Sequence, residues 1–462
     1  MHPGSLRAGK AGCCHNRQNL GKGMAMSLNR RQVLAGGLGL GAAVGLGGCA
    51  GLTGKKGEDT SGGSGGPVTL TFVNWSGDVE KAAFDKVIAA FTTANPDITI
   101  ETQTVPYNSI QTNLDSRFQA GSPPDLFRVS YTDLGQYTDA GVLLDLSSVL
   151  GAKADAFVPG LYSSVVVDGV PYGAPHQIDT TAVVYRKDAF EAAGITDVPT
   201  SLEDAWTWEE FAAAADKLKG VVKGNQSPFI YDWQSAGAFR WLTWLFAAGG
   251  SLLGPDLKAP AVDSDAGRKA LDFTKSFFTN AWVAKNTSTK STTYPDDSFN
   301  AGTVAMAFAG SFLVPGIDGG VKKKFEWGAM PQPRDTTASS DLGGNAIVAA
   351  KDGKNTEAAS RFLEFLVNEE QQRTFCEATG QLPTLKSLTE SDLDFQVRPD
   401  LMKTFVEQAT TITPEQVRQV TVPQFAQINA ALQAELEKAF LGGASAADTT
   451  AALAAAFQAA GE

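Results

Sequence analysis

Carboxylates, thiols, imidazoles and hydroxyls are the side chains that make and break bonds, and this chain holds few in suggestive arrangements. Glu209-Glu210, Asp296-Asp297 and Glu369-Glu370 are adjacent acidic pairs. Neighbours along a helix do not share one face, so these pairs read as solvated surface. Glycoside hydrolysis needs two carboxylates flanking one bond, and linear spacing shows no such pair. One GxSxG match, Gly62-Gly63-Ser64-Gly65-Gly66, lies in a glycine-rich stretch. It lacks the strand-to-helix elbow that exposes a nucleophilic serine. No P-loop, HExxH or dinucleotide fingerprint occurs. The expectation is a chain that is not an enzyme and needs no cofactor.

Cys13, Cys14 and Cys49 fall in the first 49 residues, which leaves Cys376 as the one later thiol. No intrachain disulfide framework is available to the rest of the chain. His176 is the only histidine after His15, which excludes zinc sites built from several histidines. Of 38 basic and 50 acidic residues, the first 49 positions hold six basic and no acidic ones, so the remainder carries −18. Phosphate backbones and anionic headgroups require clustered Lys and Arg, so no nucleic-acid partner is expected. Roughly 395 residues follow position 67, about two domains' worth. At 43% hydrophobic residues, the chain can bury a sizeable core.

Residues 29–49, NRRQVLAGGLGLGAAVGLGGC, pair Arg30 and Arg31 with sixteen uncharged residues from Val33 to Gly48, seven of them glycine. That run is shorter than the roughly 20 apolar residues that span a bilayer. A basic start, a short apolar stretch and small residues at the end make a secretory signal. Arg30 and Arg31 resemble a twin-arginine signal, although Asn29 and Val33 depart from its preferred flanks and the ordinary secretory route stays open. Leu46-Gly47-Gly48-Cys49 resembles a bacterial lipobox, which implies that Cys49 takes a diacylglycerol and becomes the mature N-terminus. The expected initiator is Met24 or Met26, with an upstream extension before it. Residues 50–67 read as a flexible tether spanning about 20–25 Å.

Order is expected from Val68. VTLTFVNW alternates like a strand. Ala83, Phe84, Val87, Ile88 and Phe91 recur at helical spacing over 80–94, and ITIETQTV gives a second strand. A helix through Leu114 and Phe118 leads to a third strand, DLFRVS. This alternation predicts a parallel α/β sheet. HQIDTTAVVYRKDAF reads as a strand feeding a helix, 208–278 as helices, TVAMAF and 345–350 as strands, and TEAASRFLEFLVNEEQQRTF as one helix. Phe425, Ile428, Leu432, Leu436 and Phe440 form a C-terminal apolar stripe. Trp241 and Trp244 share a helix face.

Seven segments in order resemble the extracellular solute-binding proteins of ABC importers, family 1. They are VTLTFVNWSG, PPDLFRVS, PYGAPHQIDTTAVVYRKDAFEAAGI, WTWEEF, LFAAGGSLL, FNAGTVAMAFAGSF and the run from LGGNAIVAA to GQLPT. Together they extend from Val68 almost to the C-terminus. The interval between Pro199 and Trp208 is longer than in the family. The resemblance implies a periplasmic-binding-protein-like fold of type II, two α/β lobes with a ligand cleft between them. Lobe 1 would hold 68–177 and about 333–378, and lobe 2 would hold 178–332 and about 379–462. Crossings are expected near 175–180, 331–335 and 375–385.

The family's ligand chemistry then selects candidates. Sugars present flat C–H faces to aromatic rings and hydroxyls to fixed polar groups. Trp75 follows the first strand and either contacts ligand or packs at the lobe edge. Asp125 either contacts ligand or caps a turn, and Tyr131 is a candidate stacking platform. His176 and Asp179 sit on the first crossing, His176 as a ligand residue or a satisfied hinge histidine. Trp233 is the leading candidate of the second lobe, and Trp241 either reaches the cleft or stays in the core. Ser311 and Phe312 end a strand, and Gly344 with Asn345 offers close backbone approach and an amide.

The implied function is a lipid-anchored extracytoplasmic receptor that captures a sugar or oligosaccharide as a monomer and delivers it to ABC permease subunits. Two alternatives accompany it. The same fold could bind a polyamine, a metal ion or a glycerol phosphate, or the chain could be a surface carbohydrate-active enzyme.

Overall fold

The computed structural model describes residues 66–461 except 235, 236 and 392. Cys49, Arg30, Arg31, the tether through Gly65 and the serine of the GxSxG match lie outside the described residues. The described strands are β1 Val68–Asn74, β2 Ile98–Thr104, β3 Leu126–Ser130, β4 Val166–Val167, β5 Val170–Pro171, β6 Ala174–Gln177, β7 Thr181–Arg186, β8 Ser227–Ile230, β9 Val304–Gly310, β10 Trp327–Met330 and β11 Asn345–Ala349.

The first lobe is built on a sheet of order β2-β1-β3-β11-β6. β1 runs parallel to β2 and to β3, as the strand–helix rhythm predicts. β11 is antiparallel to β3 and to β6, so the sheet is mixed rather than parallel. The reason is topological: β11 enters the sheet on the chain's return from the second lobe, against the direction of β3. Helix Asp78–Ala94 turns Ala83, Phe84, Val87 and Phe91 inward. Phe84 meets Phe72 of β1 edge-to-face at 5.4 Å and Phe375 at 4.7 Å. Ile88 is only half-buried at the margin of that stripe.

The second lobe carries a sheet of order β10-β7-β9-β8, in which β8 and β9 are parallel and the other pairs antiparallel. β8 falls inside the stretch 208–278 expected to be helical, and β10 is a strand not expected from the sequence. The strand expected across HQIDTTAVVYR divides into β6 and β7, one in each sheet. Phe211, Phe229, Trp244, Phe277 and Phe308 interlock in the core at centroid separations of 5.0–6.5 Å. Trp208, in the longer interval, stacks on Phe273 at 4.4 Å.

The single helix expected after β11 is two, Thr356–Leu366 and Glu369–Thr379. Asn368 divides them by capping the second, its Oδ1 accepting from the Gln371 N–H at 3.0 Å. Beyond it, Leu382 exchanges backbone hydrogen bonds with Ile178, each 2.8 Å. Leu385 and Leu388 still pack in the first lobe, whereas helix Pro399–Ala409 lies on β7 and β10.

Helix Phe425–Leu441 buries Phe425, Ile428, Leu432, Leu436 and Phe440 as the stripe predicts. It touches helix Tyr131–Asp139 of the first lobe and Asp265–Thr279 of the second. Two glycines admit these C-terminal elements to the first lobe. A Cβ on Gly135 would stand 2.3 Å from the Thr421 carbonyl oxygen, and one on Gly160 would stand 2.4 Å from that of Ile412. One apolar cluster therefore continues from Phe127 and Leu134 through Ile428 to Phe229 and Phe308. A second, around Phe72, Phe91 and Phe362, belongs to the first lobe alone. No helix among the described residues is long and apolar enough to cross a membrane.

Candidate ligand cleft

Side chains that leave the ends of parallel strands share one edge of a sheet, which is where open α/β folds place their ligands. In the first lobe Trp75 follows β1, Tyr107 follows β2, and Arg128 and Ser130 lie on β3. In the second lobe Gln234 follows β8 and Phe312 follows β9. These residues face a common cleft of about 500 Å³, well within the size range of small-molecule sites. Its floor is made by the connections between lobes, at Asp179, Leu342 to Asn345, and Gln381.

Each lobe contributes an aromatic corner. Trp75 and Tyr107 meet edge-to-face at 5.2 Å and 63°, and Tyr294 and Phe312 do so at 5.4 Å and 74°. Such pairs hold their rings at fixed angles. Tyr107 is 39% exposed, which is unusual for a large ring in this chain.

Beneath Trp75 lies a polar cluster around the buried Arg128. Its Nη1 donates to the Trp75 carbonyl at 2.6 Å and its Nη2 to Glu80 Oε1 at 2.7 Å. Its guanidinium carbon stands 4.7 Å from the Trp75 ring centroid. Gln381 Nε2 donates to the same Glu80 oxygen at 2.6 Å. With the Asn345 amide oriented to satisfy both its polar atoms, its oxygen accepts from Gln177 Nε2 at 2.7 Å and from Arg128 Nη2 at 3.0 Å. Charge-assisted bonds of this kind fix the indole of Trp75 against the first lobe.

The opposite wall has a looser arrangement. Arg240 Nε is 3.4 Å from Asp232 Oδ2 and 3.6 Å from Asp341 Oδ2, all three groups being buried. Burial works against the charged guanidinium, yet Asp232 and Asp341 hold its pKa above the ordinary arginine value. Asp179 lies beside this group. Burial first, then the Asp341 charge, pushes its carboxyl up to about 7, with Arg240 and Arg128 opposing and Asp232 adding. Gly343 is required there, because a Cβ would stand 2.1 Å from Asp179 Oδ1. Gly344 adopts φ +102°, and a Cβ on it would stand 2.6 Å from the Ile178 Cα.

Of the residues singled out in the sequence, the cleft brings together Trp75, Asp179, Phe312, Gly344 and Asn345. Six others lie elsewhere. Asp125 precedes β3, at the far end of the sheet, where it accepts from the Thr71 N–H at 2.9 Å and from Asn355 Nδ2 at 3.2 Å. Tyr131 is buried, with its hydroxyl donating to the Gln177 carbonyl at 2.7 Å. His176 is buried between Phe84 and Phe375, at 5.6 and 5.0 Å. Burial, then the Arg128 charge, holds its pKa well below 6.5, so the imidazole is neutral. Trp233 packs on Tyr231 and Phe440, and Trp241 donates to Thr274 Oγ1 at 3.1 Å within the core. Ser311 is fully buried, its N–H donating to the Thr180 carbonyl at 3.0 Å. Sequence reasoning missed Tyr107, Arg128, Arg240 and Tyr294. Tyr107 was open to the rule that selected Trp75, since it too follows a strand end.

Two α/β lobes, crossed by the chain and enclosing a polar cleft with aromatic corners, define a two-lobed binding protein. Residues 75–373 match the family model of the bacterial extracellular solute-binding protein, and the chain belongs to that family. It is 23% identical over 385 residues to a protein of Brucella abortus described as a binding protein, covering 83% of this chain and 90% of that one. It is 25% identical over 271 residues to the maltooligosaccharide ABC transporter solute-binding lipoprotein of Streptococcus pneumoniae R6, covering 57% of this chain and 60% of that one. The crystal structure of the cyclic alpha-maltosyl-1,6-maltose binding protein from Arthrobacter globiformis superposes with a TM-score of 0.73 at 22% identity, covering 86% of this chain and 99% of that one.

Proposed function

We propose that this chain is the substrate-binding lipoprotein of an ABC importer, capturing a sugar or oligosaccharide in the cleft and presenting it to separate permease subunits. The observation that carries this reading is the pair of aromatic corners on facing lobes, Trp75–Tyr107 and Tyr294–Phe312, around a floor of fixed polar groups. Rings on both sides can cover the C–H faces of a saccharide, while Asp179 and Asn345 read its hydroxyls. What the similar proteins are named for binding supports the same class. Closure of the lobes around ligand draws on the greater ligand affinity of the closed form. Nothing in this role requires bond-breaking chemistry.

The reading includes a diacylglyceryl anchor at Cys49, export directed by residues 29–49, and a monomer tethered to the outer face of the membrane. A thermal-shift screen of the chain against mono- and oligosaccharides tests the ligand class. A sugar present at about 100 times its Kd should stabilise the native state by about 2.7 kcal/mol. A flat response to every carbohydrate, with stabilisation by a glycerophosphodiester or spermidine, overturns it. The anchor is tested separately with Cys49→Ala, which should move the protein from the membrane fraction to the soluble fraction in cells. Undiminished membrane partition and lipid content in that variant would sink the anchor reading.

A further inference from the structure

The charges on the cleft wall do not balance. Its cations among the described residues are Arg128 and Arg240, and both are engaged inside the protein. Arg128 is held by Glu80 and the Trp75 carbonyl, and Arg240 lies between Asp232 and Asp341. Against them Asp179 is more than nine-tenths buried and lines the cleft. Its carboxylate accepts no hydrogen bond and has no ion-pair partner among the described residues. Asp78, exposed at the cleft margin, is likewise unpaired. The wall thus offers unpaired carboxylates, aromatic rings and no free cation.

We propose that the cleft selects a sugar bearing a protonated amine, its ammonium meeting the Asp179 carboxylate while the ring packs between Trp75 and Tyr294. This rests on the sugar-binding reading and narrows it. A neutral hydroxyl can pair with Asp179, but it does not offset the charge of the ionised carboxylate, which stays disfavoured. An ammonium supplies both the donor and the charge. Aromatic faces attract cations as well as C–H surfaces, so the same rings serve both parts of such a ligand. A carboxylated or phosphorylated sugar would bring further negative charge to a wall with no cation available for it. The raised pKa of Asp179 fits this chemistry, because Asp341 and Asp232 repel its charge while Arg240 and Arg128 only partly offset them. An ammonium would restore the ionised carboxylate, so binding near pH 6 should release a proton from the protein.

The test is calorimetric titration of the full chain with matched disaccharides of gluco, galacto and manno configuration, each in amine, N-acetylamine, hydroxyl and uronic acid forms, with spermidine as a non-sugar arm. In at least one series the amine form should bind at least ten-fold tighter than its hydroxyl counterpart, with uronic acid forms weakest. Asp179→Asn should reduce that ratio at least ten-fold. Independently of the variant, titrations in buffers of different ionisation enthalpy should show proton release at pH 6 on amine binding and none with the hydroxyl form. Hydroxyl forms binding as tightly as amine forms in every series that binds overturns the charge selection and leaves the sugar reading standing. An affinity ratio unchanged in Asp179→Asn does the same. Binding of spermidine alone, or of no member of any series, overturns both.

Discussion

Arg128 and Arg240 look onto the same cleft from opposite lobes, and the protein holds them differently. Arg128 makes hydrogen bonds of 2.6–2.7 Å to one carbonyl and one carboxylate. Arg240 sits between two carboxylates at 3.4 and 3.6 Å, with Asp179 acting on it from farther off. The first arrangement is locally neutral and rigid, and it serves to aim Trp75. The second carries more acid than base and leaves the wall near the lobe connections negative. Burial alone therefore does not say what an arginine contributes; the number and reach of its acceptors do.

The largest test of this contrast is Arg240→Ala, which leaves Asp232 and Asp341 buried without a cation. It should destabilise the chain by about 3–5 kcal/mol in denaturant titration, and a loss under about 1 kcal/mol would mean that the triad is not electrostatically coupled. Next comes Asp179→Asn. The wild-type carboxyl has its pKa raised from 3.8 to about 7. Its contribution to stability is therefore fully present below about pH 3.8 and lost as pH rises through 7. The variant should match wild type near pH 4 and exceed it by about 4 kcal/mol at pH 8, roughly three pKa units at about 1.36 kcal/mol each. A gap that does not widen with pH would show that the carboxyl is not shifted.

On the other wall, Arg128→Lys keeps the charge but cannot reach Glu80 and the Trp75 carbonyl as a fork. A cost of about 1–2 kcal/mol is expected, together with a changed near-ultraviolet dichroism from Trp75. An unaltered spectrum would argue that the indole is held by packing alone. The smallest effect belongs to Lys81→Ala, which removes an ion pair with Asp85 in which both side chains are 53% exposed. It should change stability by less than about 0.5 kcal/mol.

Local pattern made much of the scaffold legible. The alternation in VTLTFVN and the stripe from Phe425 to Phe440 each depend on one face meeting the core, and period alone reveals that. The sheet's mixed direction was not legible, because β11 joins β3 across a long excursion through the second lobe. Within the site, Trp75, Asp179 and Phe312 could be found from their places at strand ends and on a lobe connection. Tyr131 and Trp233 occupy similar places and turn inward, because a large ring beside a strand end can serve the core or the cleft equally well. Only the neighbours decide: Gly344 lies over the Tyr131 ring, and Phe440 covers Trp233. Arg128 was hidden by its position in an apolar strand, where Glu80 and the Trp75 carbonyl make its burial tolerable.

The C-terminal helices also affect how the whole chain unfolds. Because Gly135 and Gly160 let them seat against first-lobe backbone, one apolar cluster crosses from lobe to lobe. Lobes joined only by thin connections could melt separately, each with its own transition. Here, loosening either lobe exposes apolar surface belonging to the other, so heat should denature residues 66–461 in a single cooperative transition.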